Sequence, residues 1–366
     1  MSLRTLDTTP RSDGFHMPAE WEAHERCYMI WPERTDNWRL DAGPAQEAFA
    51  AVAEAVARSE PVTMLASGTQ RDRARRACSG NVEVVEMTTD DAWARDTCPT
   101  FVVDRSRGLR RGVDWIFNAW GGLRGGLYSP WTNDDLLASK VCELEGADRY
   151  RAPLVLEGGS VHVDGEGTCI TTEECLLNPN RNPDLARADI ERLLYEYLGV
   201  DKVIWVPRGV YLDETDGHVD NLLCFSRPGR ILLTWSDTPD DPQTEISYEA
   251  RRVLEAATDA RGRHLDVGLL PSPGPLTISA AEAAGVVSSP HAQPRRPDDR
   301  MAGSYVNFLI ASESVVYPHL DARYDEEVAE LLAQEFPGRR IEAVPGREIL
   351  LGGGNVHCIT QQVPRL

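Results

Sequence analysis

The sequence of 366 residues lacks several features that would place it in a familiar class. Its eight cysteines include no CxxC pair, so a zinc ribbon is not expected. It has no run of about 18 apolar residues, so we expect no membrane-spanning helix. The start of the chain, MSLRTLDTTPRSDGFHMP, is polar and contains proline, unlike a secretory signal. We therefore expect a cytoplasmic protein with reduced thiols.

Basic residues are also few: 38 Lys and Arg stand against 58 Asp and Glu, and the formal net charge is −20. Nucleic acids and anionic membranes bind basic surfaces, so neither is an expected partner. A negative protein concentrates small cations around itself, although the same acidity serves only solubility in many proteins. The composition thus favours a small cationic ligand and leaves assembly into a homo-oligomer open.

Amphipathic helices alternate with short strands along the chain. Apolar stripes predict helices at 44–59, 184–198 and 324–336, the second with Asp184 as N-cap and Gly199 as its end. Short apolar runs predict strands at 61–66, 82–87, 202–206 and 340–344. This alternation indicates an α/β fold. No linker divides the chain, so we expect one domain over residues 1–366, with the proline- and arginine-rich stretch 288–300 as a surface loop.

Two distant segments resemble each other: LEGGSVH at 156–162 and LGGGNVH at 351–357. The tripeptide Cys-Ile-Thr also occurs twice, at 169–171 and 358–360. We interpret paired glycines before a Val-x-His strand as one structural unit that is used more than once. The repeat predicts a fold with internal pseudo-symmetry.

Cys358 is the candidate nucleophile. It follows the glycine triplet 352–354, whose backbone lets a ligand approach closely, and we expect it at the end of a strand. A lone cysteine is more often a buried structural thiol, so the interpretation depends on these glycines and on the adjacent His357. A nucleophilic thiol also needs a lowered pKa or a positioned base.

The segment 213–221, DETDGHVDN, offers such a base. His218 and Asp220 are two residues apart and would face the same side of a strand, in an acid–base arrangement. A surface loop rich in acids would have the same composition. One histidine among several carboxylates would also suit a divalent cation, so the spacing leaves a metal site open.

Residues 90–96 add further acids and a tryptophan. Asp96 can hold a guanidinium through two parallel hydrogen bonds, and Trp93 can stack on its flat face. A salt bridge of Asp96 with Arg95 or another basic residue is the structural alternative. A planar cationic substrate would explain the acids and the tryptophan together. A thiol protease would instead need oxyanion-hole donors and an extended groove.

Seven stretches spread over nearly the whole chain resemble agmatine deiminases, within the superfamily that modifies guanidino groups. They are WARDT (93–97), FNAWGG (117–122), LEGGS (156–160), LNPNRNP (177–183), DETDGHVDN (213–221), SYVNF (304–308) and GGGNVHCITQQ (352–362). The sequence departs from the usual pattern at Cys98, where such enzymes have glycine. We expect this change to be tolerated, with an altered local backbone or an oxidisable thiol as its consequence.

The resemblance implies a five-bladed α/β propeller, built from ββαβ-type units around a pseudo-fivefold axis. It also implies a role for each matching side chain. Cys358 would be the nucleophile, His218 the general acid and base, and Glu157 the carboxylate that orients His218. Asp96 and Asp220 would hold the guanidinium.

The implied reaction is hydrolysis of agmatine to N-carbamoylputrescine and ammonia, a step towards putrescine, through a thiouronium on Cys358. The resemblance implies neither a metal nor an organic cofactor. For the four-carbon tail of agmatine, we expect Trp93 along the methylenes and Glu214 near the ammonium.

Three other functions stay open. Deimination of arginine or peptidyl arginine is the first, although free arginine needs a cation for its carboxylate and only Arg95 lies near the motifs. The second is a propeller that binds polyamines without catalysis. The third is a metal hydrolase, which would lose its activity to chelators.

Overall fold

The computed structural model describes residues 3–78 and 80–366. Helices in this part of the chain are α1 (Gly43–Ala57), α2 (Arg71–Ala77), α3 (Ala94–Thr97), α4 (Thr132–Asp135), α5 (Leu137–Leu144), α6 (Glu173–Leu176), α7 (Arg187–Leu198), α8 (Val219–Leu222), α9 (Pro242–Ala256), α10 (Ala280–Ala284), α11 (Asp325–Glu335) and α12 (Arg347–Leu351). Short 3₁₀ helices lie at Gly122–Arg124 and Gly158–Ser160.

The strands are short, as the sequence predicts. They are β1 (His24–Ile30), β2 (Val62–Ala66), β3 (Val82–Glu86), β4 (Thr100–Asp104), β5 (Leu109–Ile116), β6 (Arg149–Val155), β7 (Val161–Val163), β8 (Thr168–Thr172), β9 (Lys202–Val206), β10 (Leu223–Arg227), β11 (Arg230–Trp235), β12 (Asp266–Pro271), β13 (Leu276–Thr277), β14 (Arg300–Met301), β15 (Leu309–Ile310), β16 (Ser314–His319), β17 (Arg340–Pro345) and β18 (Gln361–Pro364).

Five sheets are built in a similar way. In β4-β5-β6, β7-β8-β9, β10-β11-β12 and β15-β16-β17, the first pair of strands is antiparallel and the second pair is parallel. The fifth sheet, β18-β1-β2-β3, joins the two ends of the chain, because β18 pairs antiparallel with β1. Parallel neighbours need a crossover connection, and helices α1, α5, α7, α9 and α11 provide one in each sheet. The α/β class is therefore confirmed.

The predicted helices form, with ends displaced by at most three residues. The stripe of Phe49, Val52 and Val56 on α1 is fully buried, and each such side chain contributes about 1.5–3 kcal/mol when it leaves water. Gly199 ends α7 with a left-handed φ of 69°, as predicted. The prediction of Asp184 as N-cap is wrong: α7 begins at Arg187, where the carboxylate of Asp189 reaches back to the preceding backbone amide.

The four predicted strands correspond to β2, β3, β9 and β17. The stretch 288–300 is a loop up to Arg300, which begins β14. None of the helices described over 3–78 and 80–366 combines the length and the apolar character needed to cross a bilayer.

The two similar sequence segments differ in local structure. Val161 begins a strand, as predicted, whereas residues 356–359 lie in turns. Likewise, Cys-Ile-Thr at 169–171 lies in β8, but at 358–360 it precedes β18. The predicted repetition therefore does not extend to the secondary structure of these segments.

The candidate residues lie near the beginnings of the five sheets. Short segments precede each first strand: α3 before β4, Gly158–Ser160 before β7, α8 before β10, residues 303–308 before β15, and residues 352–360 before β18. Gly158–Ser160 packs against both α3 and α8. The backbone N–H of Arg95 donates to the carbonyl of Cys358 at 3.1 Å, which ties the first segment to the last. Residues distant in sequence thus converge between the sheets.

Candidate active site

Cys358 lies in a turn that precedes β18, so the prediction that it ends a strand is wrong. The amide nitrogen of Asn307 donates to its Sγ at 3.2 Å, and a carboxylate oxygen of Asp220 lies 3.6 Å from the same sulfur. A Cβ on Gly354 would lie 3.0 Å from this sulfur and 2.6 Å from the Trp93 ring. The third glycine of the triplet is therefore required for steric reasons, because a side chain there would fill the space beside the thiol.

Burial raises the pKa of the Cys358 thiol well above its ordinary value, and the nearby carboxylates of Asp220 and Asp96 raise it further. The hydrogen bond from Asn307 acts in the opposite direction. The free protein therefore holds Cys358 as a neutral thiol near neutral pH. A nucleophilic thiolate requires an additional positive charge beside the sulfur.

His218 immediately precedes α8 instead of lying on a strand, so the argument that it shares a strand face with Asp220 is wrong. Its Nε2 lies 3.3 Å from a carboxylate oxygen of Glu157, and its Nδ1 lies 3.9 Å from one of Asp96. Burial alone would lower the pKa of His218, but Asp96, Cys175 and Glu157 together raise it well above its ordinary value. The ring is therefore an imidazolium, which is able to donate a proton.

Glu157 is held by a buried arginine. The Nε of Arg181 donates to the second oxygen of Glu157 at 2.8 Å, and both side chains are fully buried. Burial would raise the pKa of Glu157, but Arg181 and His218 lower it, so this group is a carboxylate. Arg181 also donates to Asp216 at 2.7 Å and so ties Glu157 to the loop that carries His218.

Asp96 is oriented by two neutral donors. The backbone N–H of Gly159 donates to one oxygen at 2.9 Å, and the indole N–H of Trp120 donates to the other at 3.0 Å. These donors replace the salt bridge to Arg95 that is the structural alternative for this segment. Burial raises the pKa of Asp96 to about 6, against the lowering effect of His218 and with a contribution from the charge of Asp220.

Asp220 is buried and only partly hydrogen-bonded. Its Oδ2 lies 2.8 Å from Nδ1 of His357. Its Oδ1 is buried and has no hydrogen-bond partner in the described ranges 3–78 and 80–366. Buried carboxylate oxygens are normally paired, so this atom is available for a donor of a ligand. Most of residues 213–221 are buried, with Glu214 exposed and Asp216 half-buried, which rejects the interpretation of this segment as a solvated surface loop.

The space between these groups requires a glycine at position 159. A Cβ on Gly159 would lie 2.6 Å from Nδ1 of His218 and 2.9 Å from an oxygen of Asp220. Both distances are shorter than a side chain tolerates. The second of the paired glycines in LEGGS thus lets the Asp96 segment, the histidine and Asp220 approach one another.

A pocket of about 480 Å³ leads to Cys358. Its wall combines acidic, basic and aromatic side chains, among them Trp93, Asp96, Trp120, Tyr128, Arg295 and Cys358. The indole N–H of Trp93 donates to buried Asp91 at 3.0 Å, and its ring packs edge-on against Trp120 at 6.2 Å. Trp93 is thus fixed on the wall, where a flat or aliphatic ligand would contact it.

Two arginines, Arg34 and Arg295, also line this pocket, so the expectation that only Arg95 lies near the motifs is wrong. Each is paired with a carboxylate. Arg34 donates to Asp36 at 2.6 Å, and Arg295 forms an ion pair with Glu214. Arg95 instead donates to Gln362 at 2.7 Å, outside the pocket wall.

The structure brings together six of the seven residues singled out from the sequence: Cys358, His218, Glu157, Asp96, Asp220 and Trp93. Glu214 differs, because its carboxylate is engaged by Arg295 and it is not part of the pocket wall. In the free protein its carboxylate is thus part of an ion pair, and its contact with a tail ammonium stays a prediction.

The chain is similar to known proteins over nearly its full length. A family model described as Porphyromonas-type peptidyl-arginine deiminase matches residues 16–364. The chain belongs to this family. The agmatine deiminase of Ectopseudomonas mendocina (strain ymp) is 57% identical to this deiminase-family chain over 364 residues, which are 99% of each chain.

Two further relatives agree. The agmatine deiminase of Pseudomonas aeruginosa (strain UCBPP-PA14) is 58% identical over 359 residues, 98% of this chain and 97% of the relative. A solved structure of the agmatine deiminase of Enterococcus faecalis has a TM-score of 0.96 at 43% identity and covers 100% of both chains. The resemblance predicted from the seven motifs is confirmed, as is the mixed α/β fold.

Cys98, where the resemblance implies a glycine, has ordinary backbone geometry. The backbone of Cys98 has a φ of −77°, which any residue adopts, so the usual glycine is not needed for its conformational freedom. The thiol is buried, and burial raises its pKa. The expected change of the backbone is therefore unnecessary, and the thiol is poorly placed for oxidation.

Two functional neighbours of this deiminase site were missed by sequence reasoning. Asn307 contacts the sulfur of Cys358, and its Oδ1 accepts from the backbone N–H of His357 at 3.1 Å. Arg181 neutralises Glu157. Both lie in motifs that carry the resemblance, SYVNF and LNPNRNP, but neither an asparagine nor an arginine there indicates its partner.

Proposed function

We propose that this protein is an agmatine deiminase, which hydrolyses agmatine to N-carbamoylputrescine and ammonia. The observation that carries the proposal is the convergence of a thiol, an imidazolium and two carboxylates at the end of one pocket. The full-length similarity to agmatine deiminases supports agmatine as the substrate.

Asp96 and Asp220 hold the guanidinium. The two groups flank the sulfur of Cys358 closely enough to raise its pKa, and Asp220 keeps Oδ1 free of partners in the described part of the chain. Charge-assisted hydrogen bonds from the planar cation to both carboxylates fix its plane and bring its carbon to the thiol. Trp93 lies along the methylenes of the tail.

Binding of the substrate also activates the nucleophile. The two carboxylates raise the pKa of Cys358 in the free protein, and a guanidinium between them cancels their charge. The thiol pKa then falls, and the sulfur releases its proton to solvent only when the cation is present. This dependence protects a buried thiol from reaction with other electrophiles.

The chemistry follows in two steps. The thiolate of Cys358 adds to the guanidinium carbon, and the imidazolium of His218 gives its proton to the departing amino group, which leaves as ammonia. The carbon stays on sulfur as a thiouronium. Neutral His218 then takes one proton from water, whose oxygen adds to the carbon. As the C–S bond breaks and the carbonyl of the ureido product forms, the second water proton passes to the departing sulfur and restores the thiol. Glu157 stabilises the imidazolium each time it forms.

The similar construction of the five sheets supports the propeller fold that the resemblance implies. We propose that the five sheets are the blades of this α/β propeller. The short segments that precede the first strand of each sheet would then lie at its axis. The pairing of β18 with β1 would then close the ring and make residues 1–366 a single domain.

Chelators should leave the activity unchanged. Ligand-type atoms of Glu157, Cys175 and His218 lie within 4.8 Å of one another, but Arg181 already neutralises Glu157. A divalent cation there would have to displace that arginine from a fully buried ion pair. Activity is measured after dialysis against EDTA and after addition of single divalent metals. Reversible loss that one metal restores would favour the metal hydrolase.

Agmatine should be preferred to arginine by well over tenfold in kcat/KM. Arginine adds a carboxylate, and the two cations in the pocket wall that could attract it, Arg34 and Arg295, are already paired with acids. A like-charge contact near 4 Å costs about 4 kcal/mol at an effective dielectric of about 20, and about a third of that, about 1.4 kcal/mol, already gives tenfold discrimination. Ammonia release is measured with agmatine, arginine and a blocked peptidyl arginine.

The ion pair at the pocket makes Glu214→Gln informative. The variant leaves the charge of Arg295 without its carboxylate, so agmatine should bind more weakly and the preference over arginine should narrow by about threefold or more. Glu33→Gln serves as a control, because that acid lies elsewhere and hydrogen-bonds Ser67. Equal constants for the two substrates in the wild type would refute agmatine as substrate while leaving the chemistry of Cys358 intact.

A further inference from the structure

The imidazole of His357 lies between two buried carboxylates. Its Nδ1 is 2.8 Å from Oδ2 of Asp220, and its Nε2 is 2.8 Å from Oε2 of Glu20. All three side chains are at most 5% exposed. A neutral imidazole has one N–H and one lone pair, so it would turn a lone pair towards one of the carboxylates. Only a ring protonated at both nitrogens satisfies both contacts.

The surroundings stabilise this protonated ring. Burial and Arg95 lower the pKa of His357, but Glu20 and Asp220 raise it above its ordinary value. Glu20 is itself anchored, because its other oxygen accepts the backbone N–H of Ile310 at 2.8 Å, and its pKa is lowered far below the ordinary range. Glu20, His357 and Asp220 thus carry alternating negative, positive and negative charges, and Asp220 lies at the guanidinium site.

The geometry points to a role for this chain, which rests on the proposed function: His357, as an imidazolium anchored by Glu20, is a positioning residue for Asp220. It holds Oδ2 of Asp220 through a charge-assisted hydrogen bond. The second oxygen, Oδ1, is thereby left for the substrate guanidinium. His357 and Cys358 are adjacent in the chain, so one turn carries both the nucleophile and the residue that positions Asp220.

Two substitutions separate the contacts of the ring. His357→Asn keeps an amide N–H near the position of Nδ1 and can still donate to Asp220, whereas His357→Gln places its amide nearer to Glu20. We expect kcat/KM for agmatine to fall at least about 100-fold in His357→Gln, and His357→Asn to recover about tenfold of that loss. The loss should lie mainly in KM, because the contact orients a binding group.

A neighbouring histidine supplies the matched control. His162 stacks on His357 at 6.2 Å, is equally buried, and accepts from the backbone of Phe225 through Nδ1. His162→Asn preserves that acceptor. Nε2 of His162 lies 3.7 Å from Oε2 of Glu20, beyond hydrogen-bond distance, so the variant leaves the contacts of His357 with Glu20 and Asp220 in place. We expect its kcat/KM to stay within about threefold of the wild type.

The pH profile gives a readout that a purely structural defect would not move. Burial raises the pKa of Asp220, whereas His357, His218 and Arg95 lower it below its ordinary value. Asp96 and the Cys358 thiol are the other titratable groups at this carboxylate. Asp220 binds substrate when ionised, so activity falls as pH drops through its pKa. Asp96, whose pKa is about 6, must also be ionised, so kcat/KM falls first through the titration of Asp96 and then more steeply through that of Asp220. Loss of the His357 charge raises the pKa of Asp220 and should move this lower, steeper part of the acid limb upward by about one pH unit.

The experiment compares purified wild type, His357→Gln, His357→Asn and His162→Asn by steady-state kinetics from acid to neutral pH, with thermal unfolding as a check of folding. Where His357→Gln does not fold, Glu20→Gln replaces it and should shift the acid limb in the same direction. Equal losses in the three histidine variants with an unmoved acid limb would overturn the inference. A wild type that releases no ammonia from agmatine would instead overturn the proposed function.

Discussion

Replacing Cys358 with alanine should lower kcat for agmatine by at least about 1,000-fold, which corresponds to about 4 kcal/mol in the barrier. The variant removes the only atom to which the guanidinium carbon can bond in the proposed reaction. Folding and agmatine binding should be largely retained, because Asp96, Asp220 and Trp93 stay in place. Calorimetric titration with agmatine and a thermal unfolding curve check these two expectations.

A second buried cysteine provides the control. Cys142 on α5 is fully buried and lies outside the wall of the pocket, so Cys142→Ala should change thermal stability but not kcat. Turnover by Cys358→Ala above a few per cent of the wild type would show that another group is the nucleophile. Equal kinetic losses in both variants would indicate a general loss of structure.

Asp220→Asn should lower kcat/KM for agmatine several hundredfold or more, because loss of a buried charged partner costs about 3–5 kcal/mol. The substitution removes the negative charge that meets the guanidinium and leaves His357 with a weaker acceptor. Steady-state kinetics with agmatine measure the loss.

Asp213→Asn is the matched control, since both aspartates are buried in the segment 213–221. Asp213 accepts from Thr215 and Asn221, so its amide variant would set a donor against the side-chain amide of Asn221. We expect a loss of stability of about 1–3 kcal/mol with near-normal kinetics of the folded protein. Comparable kinetic losses at both positions would mean that Asp220 is not the carboxylate that holds the guanidinium.

The sequence predicts the candidate catalytic residues better than it predicts their local structure. Cys358, Asp96 and the His218 segment stand out because glycines, acids and an aromatic residue are unusual together in short buried stretches. The local structure could not be read in the same way, since His218 and Cys358 lie at a helix start and in a turn instead of on strands. Side-chain periodicity predicts regular elements but not the segments between them.

Contacts between distant segments escaped the sequence for a related reason. Arg295 reaches the pocket only because its loop folds over residues that are far away in the chain, and it then pairs with Glu214. The buried pair of Arg181 and Glu157 is separated by 24 residues and likewise leaves no local pattern. A charged residue in one sequence does not reveal which opposite charge it will meet.

The central claim is that the guanidinium carbon bonds to Cys358 during turnover. Wild-type protein and Cys358→Ser are mixed with excess agmatine, quenched in acid at times shorter than one turnover, and analysed by intact-mass and peptide mass spectrometry. We expect a wild-type adduct with the mass of agmatine less one ammonia, located on the peptide that contains Cys358 and absent from the serine variant. Ammonia release by both proteins, with no adduct on any cysteine at any time, would contradict the account.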